Sequence, residues 1–246
     1  MVGRDRLALD LSISWRKLLS AKVNGLALAA FIVVLGYLWV RDSFSLSFRA
    51  FLYLHPFLSL IFSQDMMYDE IASGLLENVL FAGGRFRHYL LSKSAMTAAT
   101  GLGVSLAIFS GYALYGLSTH QLGFADFARF VAGILVGLYY AFLAGALSFF
   151  FRSGSNVLII IVGQFVLVAG LLLGASQRMG FIERLTAPVA QGIGARLEFL
   201  SVSVLIPNIT IARHSWLNLL GIAVGALFFF ALQVDSTVDI DLEVLP

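Results

Sequence analysis

Residues 23–40 read VNGLALAAFIVVLGYLWV, eighteen residues without a charge, closed by Arg41 and Asp42. A helix rises 1.5 Å per residue, so about 20 apolar residues cross roughly 30 Å of hydrocarbon. One such run could be a buried helix of a soluble protein, but this chain repeats it. Uncharged runs recur at 50–64, 94–125, 130–151, 153–177 and 215–234, with lengths of 15, 32, 22, 25 and 20 residues. The second contains His55-Pro56 and is short, so Phe48, a snorkelling Arg49 and tilt are needed to complete it. The third exceeds one span and reads as a span near 94–116 followed by an outer loop. Six spans are therefore expected.

Composition leads to the same solvent. Hydrophobic residues make up 59% of the 246, charged residues 12%, and mean hydropathy is +0.91. Soluble globular chains carry about 25% charged residues, so this one could not cover a core of its size with polar surface. Soluble enzymes, secreted disulfide scaffolds and disordered chains are excluded. With no Cys there are no disulfides, zinc-thiolate sites or thiol nucleophiles. The net charge of +2, without a dense Lys/Arg cluster, gives no reason to expect a nucleic-acid partner.

Orientation follows from Lys and Arg. With the termini inside, nine basic residues are inner (Arg4, Arg6, Arg16, Lys17, Lys22, Arg85, Arg87, Lys93, Arg152). Seven are outer (Arg41, Arg49, Arg129, Arg178, Arg184, Arg196, Arg213). The five before the first span weigh most, so both termini are expected in the cytoplasm. Leu7, Leu11, Trp15 and Leu18 recur at helical spacing, which predicts an interfacial helix over residues 1–22 rather than a cleaved signal. Between the fifth and sixth spans, the apolar runs 185–195 and 199–212 are too short to cross and carry Pro188 and Pro207. They predict an outer re-entrant region at 178–213.

Residues 65–93, DMMYDEIASGLLENVLFAGGRFRHYLLSK, keep the charge that the spans expel. Met67, Ile71, Leu75 and Val79 recur every four residues, and Asp65, Asp69, Ser73 and Glu77 do so on a neighbouring face. That is an amphipathic helix with an acidic stripe. Its early acids, Asp65, Asp69 and Glu70, complement the helix dipole. Gly83-Gly84 ends the helix, and Arg85, Arg87 and Lys93 form a basic patch leading into the third span.

This run resembles the signature of ABC-2 type permeases, the membrane subunits of ATP-binding cassette transporters. Glu70, Ser73, Gly74, Leu76, Glu77, Leu80, Arg85 and Lys93 fall at matching places. Leu75 stands for the usual Thr, Ala72 for a second acid and Gly83 for the usual Pro. The resemblance extends along the chain through the N-terminal helix, the six spans, the inner loop Phe151-Arg152-Ser153 and the re-entrant pair. It implies a single all-α polytopic permease domain over 1–246, multi-pass in the cell (inner) membrane. By the same resemblance, 65–93 is the coupling segment that docks on a separate ATPase subunit. Its contact residues would be Asp69, Glu70, Ser73, Gly74, Leu76, Glu77, Gly83, Arg85, Arg87 and Lys93. The implied partners are that ATP-binding cassette subunit, a second permease copy or paralogue, and membrane lipid. ATP and magnesium would belong to the partner, with no cofactor in this chain.

The absent motifs agree with an externally powered membrane subunit. No GxxxxGK[ST], HExxH or GxSxG occurs, and the four His are scattered. No Asp, Glu, Lys or Arg lies inside the expected spans, whereas ion-coupled transporters mark their pathway with such groups. A stand-alone channel or secondary transporter remains the alternative, and a structural or regulatory subunit a third reading. His55 has two readings, a pathway group or a partner for a carbonyl freed by Pro56, with the second favoured. Gln164, Asn218 and Gln233 read as helix–helix contacts. The pairs Gly133/Gly137, Gly170/Gly174 and Gly221/Gly225 permit close helix approach, within the chain or between two copies. Asn208-Ile-Thr210 is a formal glycosylation sequon, read here as chance.

Overall fold

The computed structural model describes residues 22–63, 86–151, 154–177, 206–212 and 216–243. Among these residues the chain is helical and has no strand. The helices are α1 (Lys22–Arg41), α2 (Phe44–Leu54), α3 (Pro56–Phe62), α4 (Phe86–Ser118), α5 (Phe124–Leu147), α6 (Ser155–Gln177), the short α7 (Ile209–Ala212) and α8 (Trp216–Glu243). The expected interfacial helix, nearly all of the coupling segment before α4, and most of the expected re-entrant region lie outside the described residues.

Four helices, α1, α4, α5 and α8, are long and apolar enough to cross a membrane. Helices α2 and α3 pass the same test together, bent by 44° at their junction, which raises the number to five. Helix α6 has 23 residues, of which Ser155–Val166 form a shorter apolar stretch. Each expected span thus falls on helix, although four to five of them meet the crossing criteria.

Helix ends run past the charges that bounded the sequence runs, for local reasons. Helix α5 starts at Phe124, six residues before the expected 130. Asp126 accepts a hydrogen bond from the Gly123 N–H at 3.1 Å and pairs with Arg129 at 2.8 Å. An acid in the first turn satisfies a free N–H and the helix dipole, and the neighbouring cation offsets its charge. Helix α2 starts at Phe44 because Ser43 caps it, its Oγ accepting from the Leu46 N–H at 3.2 Å. Arg49 then faces outward while Phe48 is buried. These charges mark a water boundary rather than a helix end.

Helix α5 is the axis of the bundle. Over half of it is buried (56%), against 11% of the α1 span, and it packs on α8, α3, α4 and α7. Around its first half an aromatic column joins α1, α2, α4 and α5. Phe109 stacks on Phe130 with centroids 3.9 Å apart, Phe51 stacks on Tyr112, and Trp39 packs against Phe44 and Tyr112. Such pairs contribute about 0.5–1.5 kcal/mol each beyond area burial. In lipid, where apolar burial between helices gains little, this packing is a large share of the cohesion. Polar ties add to it. Ser47 donates to the Leu35 carbonyl at 2.7 Å, Gln233 joins Ser94 (3.1 Å) to the Phe142 carbonyl (2.6 Å), and Asn156 reaches the Ala144 carbonyl at 3.1 Å. Leu26, Val33, Val40, Phe165, Trp216 and Leu227 are exposed on the outside, an apolar surface that suits hydrocarbon and not water.

Candidate functional site

Of the residues named from sequence, Asp69, Glu70, Ser73, Gly74, Leu76, Glu77, Gly83 and Arg85 lie outside the described residues. Arg87 falls in the first turn of α4. Lys93 lies two turns further on, is buried, and its carbonyl accepts from Thr97 Oγ1 at 2.9 Å. His55 is the named residue whose surroundings are fully described, at the junction of α2 and α3.

That junction is a consequence of Pro56. Proline has no N–H, so the Leu52 carbonyl four residues back loses its helical donor, and the ring crowds the preceding turn. In a membrane an unmet carbonyl costs several kcal/mol. His55 Nδ1 lies 3.0 Å from the Leu52 oxygen and 3.2 Å from the Phe51 oxygen. The side chain beside the proline thus meets the carbonyl that the proline frees, the favoured sequence reading. The imidazole is held between the rings of Phe51 and Phe130, with centroids 5.0 and 5.2 Å away.

The next carbonyl, Tyr53, is met from a distant part of the chain. Asn208 Nδ2 donates to it at 2.8 Å. The Asn208 Oδ1 accepts from the Tyr140 hydroxyl at 2.6 Å, and that hydroxyl accepts from Gln164 Nε2 at 2.7 Å. One network therefore links the broken element, α5, α6 and the segment preceding α7. It also removes Asn208 from consideration for glycosylation, since both ends of its amide are engaged and Thr210 is fully buried. Tyr140 and Asn208 were not singled out for this role from sequence. The available signal was a polar Tyr in the middle of the apolar run 130–151.

Tyr140→Phe removes one hydroxyl and leaves two partners unmet. Buried unsatisfied groups cost about 1–3 kcal/mol each, but membrane hydrogen bonds measured by double-mutant cycles average about 0.6. We expect a loss of about 1–2 kcal/mol in a reversible unfolding titration. Gln164→Leu should then cost less in the Y140F background than alone, and full additivity would refute the network.

Glycines set how closely α5 approaches the break. A Cβ added at Gly133 would overlap the His55 ring, and one at Gly137 would sit 3.0 Å from Ser59 Oγ. Ser59 is also pressed against Gly101 of α4, where an added Cβ would overlap its hydroxyl. The Gly133/Gly137 pair thus receives His55 and Ser59 of the same chain, and Gly225 receives Tyr139. Beside these contacts lies a small cleft between α3, α4 and α5, lined by His55, Ser59, Ser105 and apolar residues including Leu102, Ile134 and Leu138. Its water-accessible space is enough for about one water molecule. Among the described residues no group of three His, Asp or Glu is placed to hold a metal ion.

Comparison with family models, curated proteins and solved structures finds no match to this chain.

Proposed function

We propose that this chain is the membrane-spanning permease subunit of an ATP-binding cassette exporter of the ABC-2 type. The observation that carries the reading is the sequence of 65–93: an acidic amphipathic helix, a Gly-Gly stop and a basic patch, matching the family signature at Glu70, Ser73, Gly74, Leu76, Glu77, Arg85 and Lys93. A tether between two spans needs no such pattern.

In this reading the α2–α3 pair is the second of six spans and α6 the fifth, with both termini on the cytoplasmic side of the cell membrane. Residues 1–22 lie in the inner interface, and 178–213 dip into the membrane from outside. The hydrogen bond of Asn208 with Tyr140, and through it with Gln164, supports that last point, because Tyr140 and Gln164 lie well inside their helices rather than at the ends. Two such permeases, identical or paralogous, line a shared route. Two ATPase subunits beneath them bind ATP and magnesium, and their closure is transmitted through 65–93. The chain itself performs no catalysis. The largely apolar, uncharged interior suits a lipophilic or amphipathic substrate.

Affinity purification of the tagged chain from its native membrane tests the proposal. A stoichiometric soluble subunit bearing a GxxxxGK[ST] motif is the expected result. Its consistent absence would favour a stand-alone channel or secondary transporter.

A further inference from the structure

We propose that Arg49 of α2 holds the phosphate of a phospholipid in the leaflet at the Ser43 end of the bundle. Several helices place their ends together there. Trp39 packs against Phe44 and Tyr115, which joins the end of α1, the start of α2 and the end of α4. Phe109 against Phe127 brings in the start of α5. Helix α8 runs in the same direction as α5, since Gly225 receives Tyr139 and Gln233 reaches the Phe142 carbonyl further on, so its start belongs here too. Tyr37, Tyr115, Phe124 and Trp216 are exposed around this end. Such an aromatic belt settles at the headgroup level of a bilayer.

Among the described residues three arginines share this end, and two are offset within the chain. Arg129 pairs with Asp126 at 2.8 Å, and Arg41 lies over the ring of Tyr37, 5.5 Å from its centroid. Arg49 is exposed and, among the described residues, meets neither an acid nor a ring. Its position gives that charge a cost. Lying five residues beyond Phe44, it is about 7.5 Å along α2 from the first turn. Leu46 and Tyr53 flank it on the exposed face, while Ser47, Phe48, Phe51 and Leu52 are buried on the other. A guanidinium stays charged at ordinary pH, so Arg49 cannot become neutral to suit an apolar neighbourhood.

The geometry of the helix directs it outward. A helical side chain covers the turn N-terminal to its own Cα, and for Arg49 that is the turn of Ser45 and Leu46, next to the membrane surface. The phosphodiester is the anion found at that level, and the guanidinium fork matches two of its oxygens with parallel N–H···O bonds. Ser45, exposed one turn nearer the surface on the same face, adds a hydroxyl donor. Leu46 and Tyr53 offer apolar surface to acyl chains, which a free phosphate lacks. The occupant is therefore a lipid. The inference needs only a chain that crosses a membrane and does not rest on the permease reading above.

The test uses the purified full-length chain in nanodiscs of a neutral galactolipid, which has no phosphate. A trace of phosphatidylglycerol with a diazirine near the top of one acyl chain is irradiated, and adducts are mapped by mass spectrometry. Adducts are expected at Leu46 and Tyr53 despite the large excess of phosphate-free lipid. Unlabelled phosphatidylglycerol should displace them, and water-soluble glycerol 3-phosphate should not. Arg49→Gln should lower labelling about tenfold, the equivalent of one charge-assisted hydrogen bond. Arg49→Lys keeps the charge without the fork and should fall between, while Arg41→Gln should label as the unaltered chain does. Melting temperatures check folding, and displacement from the unaltered chain decides alone if Arg49→Gln does not fold. Undiminished labelling of Arg49→Gln, an equal loss in Arg41→Gln, or adducts only away from α2 would each overturn the proposal. So would adducts that phosphatidylglycerol fails to displace, and displacement by glycerol 3-phosphate would show a free-phosphate site instead of a lipid one.

Discussion

Gly133→Leu is expected to leave little folded protein, while Gly111→Leu, on the neighbouring helix, is tolerated. Both glycines lie in the middle of long membrane helices, so helix propensity and hydropathy favour the substitution equally. The difference lies in what each glycine faces. Gly111 has no atom within 4 Å of an added Cβ, whereas at Gly133 that carbon would overlap the imidazole of His55. The ring cannot step aside. Its Nδ1 is tied to the carbonyls of Phe51 and Leu52, and Phe51 and Phe130 enclose its faces. Relief requires either separating α5 from the break or withdrawing His55 from the carbonyl that Pro56 frees. Overpacking costs about 1–3 kcal/mol and an unmet buried acceptor about 1–3 more. Together, at about 2–6 kcal/mol, these are comparable with the lower end of a domain's stability of roughly 5–15 kcal/mol. Thermal aggregation followed by size-exclusion chromatography in mild detergent reads the outcome. Similar profiles for the two variants would mean that α5 does not approach the break this closely.

The contrast between these glycines also shows which parts of the structure could be read in advance. Crossing a membrane is a matter of length and apolarity, both properties of a contiguous run, so the long helices were legible in residues 23–40 and their counterparts. The role of His55 was legible too, because Pro56 removes a donor from a carbonyl only four residues away and the repair is local. Charges are poor markers of helix starts in this chain. Asp126 and Arg129 neutralise one another on the first turns of α5, and Ser43 begins α2 before Arg49. The spacing of Gly133 and Gly137 announced a close contact but not its partner, since small residues specify an approach distance and nothing about what approaches. The Tyr140 network was beyond reach. Its members are separated by 24, 68 and 155 residues, and no periodicity links a Tyr on α5 to an Asn preceding α7 and a carbonyl on α2.

The second large effect is expected at Gly74 and Glu77, and chain connectivity explains why these positions matter. Residues 64–85 join the end of α3 to the start of α4. Helix α3 and its cap carry Ser59 and His55, and α4 carries Ser105 and Gly101, so the two helices that flank the cleft are the two that this segment connects. A force applied between them is applied across the cleft. In the proposed complex the ATPase applies it by holding the acidic stripe of Asp65, Asp69, Ser73 and Glu77. Glu77→Gln keeps the size and removes the charge. Gly74→Leu puts a bulky side chain next to Ser73 of that stripe. Loss of a charge-assisted hydrogen bond, about 1.5–3 kcal/mol, lowers the docked population roughly ten- to a hundredfold. Substrate moved per ATP hydrolysed in reconstituted vesicles should fall by at least about tenfold, since one tenfold step corresponds to about 1.4 kcal/mol. Hydrolysis by the ATPase should continue. Coupling that survives both substitutions would show that 65–93 is only a connection between two spans.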